Sequence, residues 1–104
     1  MHVIIWEFQP KSGSEKEFER AYGANGEWVR FFKRGEGYLG TDLLRFEDGR
    51  RTYLTIDRWE SKNAYETFRN EWRSEYEALD RQHESLMERE TLLGLFVGVN
   101  KEWV

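Results

Sequence analysis

Two periodicities take turns along this chain, and the order in which they alternate limits the folds open to it. Residues 2–9, "HVIIWEFQ", alternate as a strand, with His2, Ile4, Trp6 and Phe8 on one face and Val3, Ile5 and Glu7 on the other. Pro10 ends that strand. In "SGSEKEFERAY" the period lengthens: Ser14 with Glu17 three residues on fits a capping box, and Phe18, Ala21 and Tyr22 share a helix face. "GANG" at 23–26 interrupts the helix, and Trp28, Phe31 and Phe32 resume its period, which predicts a broken helix running to Gly35. A second strand is expected over about Tyr38 to Phe46 and a third over about 51–59. The Asp-Gly in "EDGR" marks the hairpin between them. Ser61 is the next N-cap, and Tyr65, Phe68, Trp72, Tyr76, Leu79 and His83 form one long apolar stripe with room for a single break. The last strand is placed at about 90–99.

The order strand, helix, strand, strand, helix, strand predicts an α+β, ferredoxin-like βαββαβ domain, a four-stranded antiparallel sheet with both helices on one face. With 104 residues, the chain has material for one core. Residues 1–99 are assigned to that domain and 100–104 to a short C-terminal tail. The final strand sets Leu93, Leu95, Val97 and Val99 on one face and Leu92 and Phe96 on the other. Two faces then ask for burial while the helices cover one, so a homodimer packed sheet against sheet is expected.

Composition removes several classes of function. The absence of cysteine leaves no disulfide, thiolate nucleophile or cysteine-ligated metal, and a reducing cytoplasm is the expected location. The N-terminus reads as a strand rather than a leader, and no segment is long and apolar enough to span a membrane. A net charge of −4 argues against nucleic acid as partner. The two histidines lack metal-ligand spacing, so no metal is expected. "GEGYLG" leads into a strand rather than a helix, which defeats a phosphate-binding role.

What remains is aromatic. Phe, Trp and Tyr make up 16% of the chain against 38% for all hydrophobic residues, so burial is concentrated in rings. In "YLTIDRWESKNAYETF", residues 53–68, Trp59 stands where a strand hands over to a helix, either closing a core or lining a pocket. Asp57 shares the covered strand face with Tyr53, Thr55 and Trp59. A carboxylate there requires an ion pair from a helix Arg or Lys, or a raised pKa suited to a general base. His83, following Leu79 on the stripe, is either a satisfied, partly buried side chain or a second candidate base.

The strand order, "GYLGTDLLR" at 37–45, "YLTIDRWES" at 53–61 and the "AYETF" that follows resemble the antibiotic biosynthesis monooxygenase superfamily of dimeric α+β barrels, over about residues 2–98. The resemblance implies a cavity between sheet and helices into which the Trp at position 59 projects, shared by Tyr65 six residues later. It makes Asp57, His83, Trp59 and Tyr65 candidate catalytic residues, and Tyr22, Trp28, Phe32, Thr55, Phe68 and Trp72 candidate walls for a small aromatic ligand. Thr55 departs from the Asn that quinone-forming members carry. Haem-degrading members use an Asn on the first strand and a His on the second helix. Here those neighbourhoods hold Trp6, Glu7 and Phe8, and Phe68 and Arg69, which argues against haem. The implied function is a monooxygenase without cofactor acting on a phenol, aromatic or polyketide-like, with O₂; the alternative is a non-catalytic small-ligand-binding or dimerisation domain of the same fold.

Overall fold

The computed structural model describes residues 1–100. The part of the expected tail at 101–104 lies outside them. Strand β1 (His2–Pro10) is followed by helices α1 (Glu15–Tyr22) and α2 (Glu27–Phe32), then β2 (Tyr38–Arg45), β3 (Tyr53–Trp59), α3 (Lys62–Glu71), α4 (Arg73–Glu84) and β4 (Met87–Val97). The sheet is ordered β2-β3-β1-β4 with every neighbour antiparallel, the ferredoxin-like arrangement. No helix is long and apolar enough to cross a membrane among the described residues.

Alternation places the core. On β3, Tyr53, Thr55, Asp57 and Trp59 are buried while Leu54, Ile56 and Arg58 between them are half-exposed. Ile4 pairs with Asp57 and Phe8 with Tyr53, so the covered face of β1 continues that of β3. Against it pack Phe18 and Tyr22 of α1, Trp28, Phe31 and Phe32 of α2, and Phe68 of α3. The expected break in the long helix falls at Trp72, where α3 ends and α4 begins. Ser61 caps α3, its hydroxyl accepting from the Ala64 amide at 3.0 Å.

Three local expectations are revised. Ser14 is at the N-cap of α1 but forms no side-chain cap, and its own amide donates to Lys11 O at 2.9 Å, so the capping box with Glu17 does not form. Helix α2 stops at Phe32, before Gly35. Strand β4 starts at Met87, and its register against β1 shifts between Ile5 and Trp6. Ile5 pairs with Gly94 and Trp6 with Leu92, leaving Leu93 as an extra residue. The bulge moves Leu92 to the helix-side face together with Leu95 and Val97, while Phe96 joins Val3 and Ile5 on the outer face. Strict alternation from the sequence had separated Leu92 from Leu95.

Gly35 lets α2 close onto the core. A Cβ there would sit 2.7 Å from Phe68 Cδ1 and 2.8 Å from Trp59 Cη2 and Cζ3, all atoms of rigid buried rings. Gly35→Ala is expected to destabilise the fold by about 1–3 kcal/mol through overpacking. A thermal melt equal to wild type would show that the Trp59 and Phe68 rings yield.

Candidate functional site

A cavity of about 220 Å³ opens over the middle of the sheet, between it and the helices. Its walls are rings: Trp6 and Phe8 from β1, Tyr22 from α1, Trp28 and Phe32 from α2, and Tyr76 from α4. Its polar groups come from both layers. Thr41 of β2 with Thr55 and Asp57 of β3 come from the sheet, Arg69 from α3, Asp80 from α4 and Glu90 from β4. The last two are solvent-exposed and form the rim. An apolar cavity of about 150 Å³ holds one benzene ring; this one suits one or two fused rings.

Asp57 is the chemically distinctive group. It is 8% exposed, and burial pushes its carboxyl up to about 6, opposed by the Thr41 hydroxyl and by the positive charge of Arg58. The ion pair with a helix Arg or Lys considered above is absent: no cation lies within 4.0 Å of its carboxylate among the described residues, and Arg58 pairs with Asp42 at 2.7 Å. Its hydrogen bond comes from Thr41 Oγ1, which donates to Oδ1 at 2.7 Å. With that proton committed, Thr41 Oγ1 accepts from the Tyr38 hydroxyl at 2.5 Å, so Tyr38, Thr41 and Asp57 form a directed relay. Burial holds the Tyr38 phenol up at about 12, so it stays protonated as a donor.

The sequence-derived candidates divide between this cavity and the surrounding core. Asp57, Thr55, Tyr22, Trp28 and Phe32 line the cavity. Trp59 does not: it is 0% exposed, enclosed by the rings of Phe32, Tyr38, Tyr65 and Phe68 at centroid distances of 5.1 to 5.9 Å. Tyr65 sits behind it, its hydroxyl accepting from Arg69 Nη1 at 2.8 Å. Phe68 is core, and Trp72 at the helix break lies under the Arg34 guanidinium, 5.3 Å from it. His83 is buried on the far side of Tyr22 and Trp28, its Nε2–H donating to Glu27 Oε1 at 3.1 Å. Its ring faces a separate surface groove with Glu27, Arg30 and Gln82.

Sequence reasoning passed over Trp6, Phe8, Thr41, Arg69, Tyr76, Asp80 and Glu90 as cavity residues. Trp6 and Phe8 carried a signal, since they share the Ile4 face of β1. Arg69 and Asp80 carried none, because charged helix positions ordinarily read as solvated surface. Among the described residues, no group of three or more His, Asp or Glu side chains could hold a metal ion. Neither histidine reaches the cavity, so no imidazole is available there as a haem ligand.

The family model for antibiotic biosynthesis monooxygenase matches residues 1–80. The chain belongs to that family. Among solved structures, this antibiotic biosynthesis monooxygenase family member is similar to SnoaB, a cofactor-independent oxygenase from Streptomyces nogalater. The identity is 21%, the TM-score 0.77, and the match covers 96% of this chain and 94% of the other. It is similar to a mutant of MhuD solved with two manganese protoporphyrin IX bound per active site, at 23% identity and TM-score 0.73 over 100% of both chains. PA3566 from Pseudomonas aeruginosa shares 18% identity at TM-score 0.70, with 95% and 94% covered. At these identities the likeness establishes a shared fold and no more. No curated protein sequence matches the chain.

Proposed function

We propose that this protein is a monooxygenase that works without a cofactor, oxidising a small electron-rich phenol with O₂ in the cavity floored by Asp57. The observation that carries the reading is a buried carboxylate, in no close ion pair among the described residues and raised by burial to about 6, facing a ring-walled cavity. In this mechanism the Asp57 carboxylate takes the phenol proton while the Thr41 hydroxyl holds its other lone pairs in place. The rings exclude water and keep the substrate plane fixed. The resulting phenolate is electron-rich enough to reduce O₂ directly. The ring hydrogen and the proton held by Asp57 then leave with one oxygen atom of O₂ as water, the second oxygen atom becomes the new carbonyl, and the phenol oxygen stays as the other carbonyl of the quinone. One phenol and one O₂ thus give one quinone and one water.

The proposal fixes a pH dependence. The base works as carboxylate, so kcat/KM is expected to rise with pH through about 6 and then level, the rise being absent in Asp57→Asn. Stability runs the other way. The folded state holds the Asp57 proton more tightly than the unfolded chain, whose carboxyl titrates near 3.8. The contribution of Asp57 is therefore complete below about 3.8 and is lost as pH rises through about 6. A flat rate profile from pH 5 to 8 would remove Asp57 from the proton transfer.

The functional unit is proposed to be a homodimer. The outer sheet face carries Leu44 at 47% and Phe96 at 45% exposure beside half-buried Ile5, Leu54 and Ile56, an apolar face that no helix covers among the described residues. Sedimentation at micromolar concentration is expected to give a dimer, and Leu44→Asp a monomer. A wild-type species of 12.6 kDa would contradict this.

A further inference from the structure

The cavity contains a cation that forms no close ion pair among the described residues, Asp80 acting on it only from a distance. Arg45, Arg50, Arg51 and Arg58 each pair with a carboxylate. Arg69 pairs with none: no carboxylate oxygen, that of Asp80 included, lies within 4.0 Å of it among the described residues. Its guanidinium is held by rings instead, with Cζ 3.7 Å from the Tyr76 centroid and 5.8 Å from that of Tyr65, and one N–H donated to the Tyr65 hydroxyl. Aromatic faces steady a cation but accept none of its in-plane hydrogen bonds. A half-buried guanidinium with donors to spare, on a cavity wall, suits an acceptor that carries negative charge.

Asp57 indicates what that acceptor is. It stands on the sheet side of the cavity and Arg69 on the helix side, with Tyr76 under the field of both. A hydroxyl that loses its proton to Asp57 becomes an anion inside a low-dielectric space whose rim carboxylates, Asp80 and Glu90, repel it. Arg69 is the one cation lining that space among the described residues.

We infer that Arg69 holds the substrate oxyanion, the phenolate formed when the hydroxyl proton passes to Asp57, so that the site selects acidic phenols over neutral rings of the same shape. This rests on the oxygenase reading for its substrate class, but its test does not need turnover. Under anaerobic conditions, 4-nitrophenol and its neutral methyl ether, 4-nitroanisole, are titrated against wild type, Arg69→Met and Arg69→Lys, with the nitrophenolate band reporting ionisation. Wild type is expected to bind 4-nitrophenol with its ionisation shifted toward the phenolate. Arg69→Met should weaken phenolate binding by about 10- to 100-fold, the range of one charge-assisted hydrogen bond, and leave 4-nitroanisole binding unchanged. Arg69→Lys should recover part of the loss.

An unchanged phenolate affinity in Arg69→Met overturns the inference, as does an equal loss for both probes. So does a wild-type protein that binds 4-nitrophenol with no shift toward the phenolate, a result that requires no variant to fold. Phenolate selectivity without oxygen uptake on any phenol would leave Arg69 its role and remove the oxygenase reading. Oxygen uptake without phenolate selectivity would do the reverse.

Discussion

Asp57→Asn is expected to lower turnover by about 10²-fold or more, the usual cost of losing general-base assistance, and to leave the fold intact. Asparagine keeps the side-chain shape, and its carbonyl oxygen still accepts from Thr41 Oγ1, so the relay from Tyr38 keeps its geometry. What disappears is the basic lone pair. The stability effect should be opposite in sign to that of a broken ion pair: burial already disfavours the Asp57 charge, so at pH 7 a neutral amide should melt at or above wild type. A variant that melts much lower yet turns over normally would make Asp57 structural. The base would then be sought at the rim carboxylates Asp80 and Glu90, since His83 is turned away from the cavity toward Glu27.

Trp59→Ala should produce the largest loss of stability, about 3–5 kcal/mol, as expected for emptying a fully buried aromatic site. Four rings surround Trp59, and one of them, Phe32, also lines the cavity. The damage should therefore spread to binding through Phe32 rather than through lost contact with substrate. Trp59→Phe separates the two roles. If Trp59 only fills the core, this variant melts lower, while KM measured well below the melting transition stays within a few-fold of wild type. A large rise in KM at unchanged stability would put the Trp59 ring against the substrate after all.

The fold was legible because it rests on periodicity. Tyr53, Thr55, Asp57 and Trp59 declare one strand face, and the stripe from Tyr65 to His83 declares one helix face, whatever the neighbours do. Where a single residue changes the count, periodicity misleads. The extra residue at Leu93 inverts the faces of β4 for half its length, and nothing in "ETLLGLFVGV" distinguishes a bulge from continuous alternation. Ser14 had the right spacing for a capping box, but the turn through Gly13, with φ +89°, brings the Ser14 amide onto Lys11 O and leaves Glu17 no donor to reach back to.

The candidate site was legible where a residue falls on a covered strand face or an apolar helix stripe, as Thr55, Asp57, Tyr22, Trp28 and Phe32 do, and obscure at charged helix positions. Strand alternation put Asp57 and Thr55 on the covered face, and the cavity opens above them. The same alternation includes Trp59, yet Trp59 ends β3 where Gly35 brings α2 close, and the space there is filled. Which end of a covered face is packed and which is open depends on how the helices cross the sheet, a long-range property that strand patterning does not encode. Arg69 follows the core residue Phe68 in a helix otherwise rich in charge, and only the fold reveals that its long side chain lies along Tyr65 and Tyr76 rather than in solvent.

Oxygen uptake on a panel of hydroquinone- and anthrone-like phenols, followed together with product absorbance from pH 5 to 8, tests the central claim most directly. The account predicts one O₂ consumed per quinone formed, with no added cofactor, on phenols of one or two rings, at a rate that rises through about pH 6 in wild type and is lost in Asp57→Asn. Uptake no faster than buffer across the panel, from a folded protein shown to bind the same phenols, would contradict it and leave a small-ligand-binding domain in place of an oxygenase.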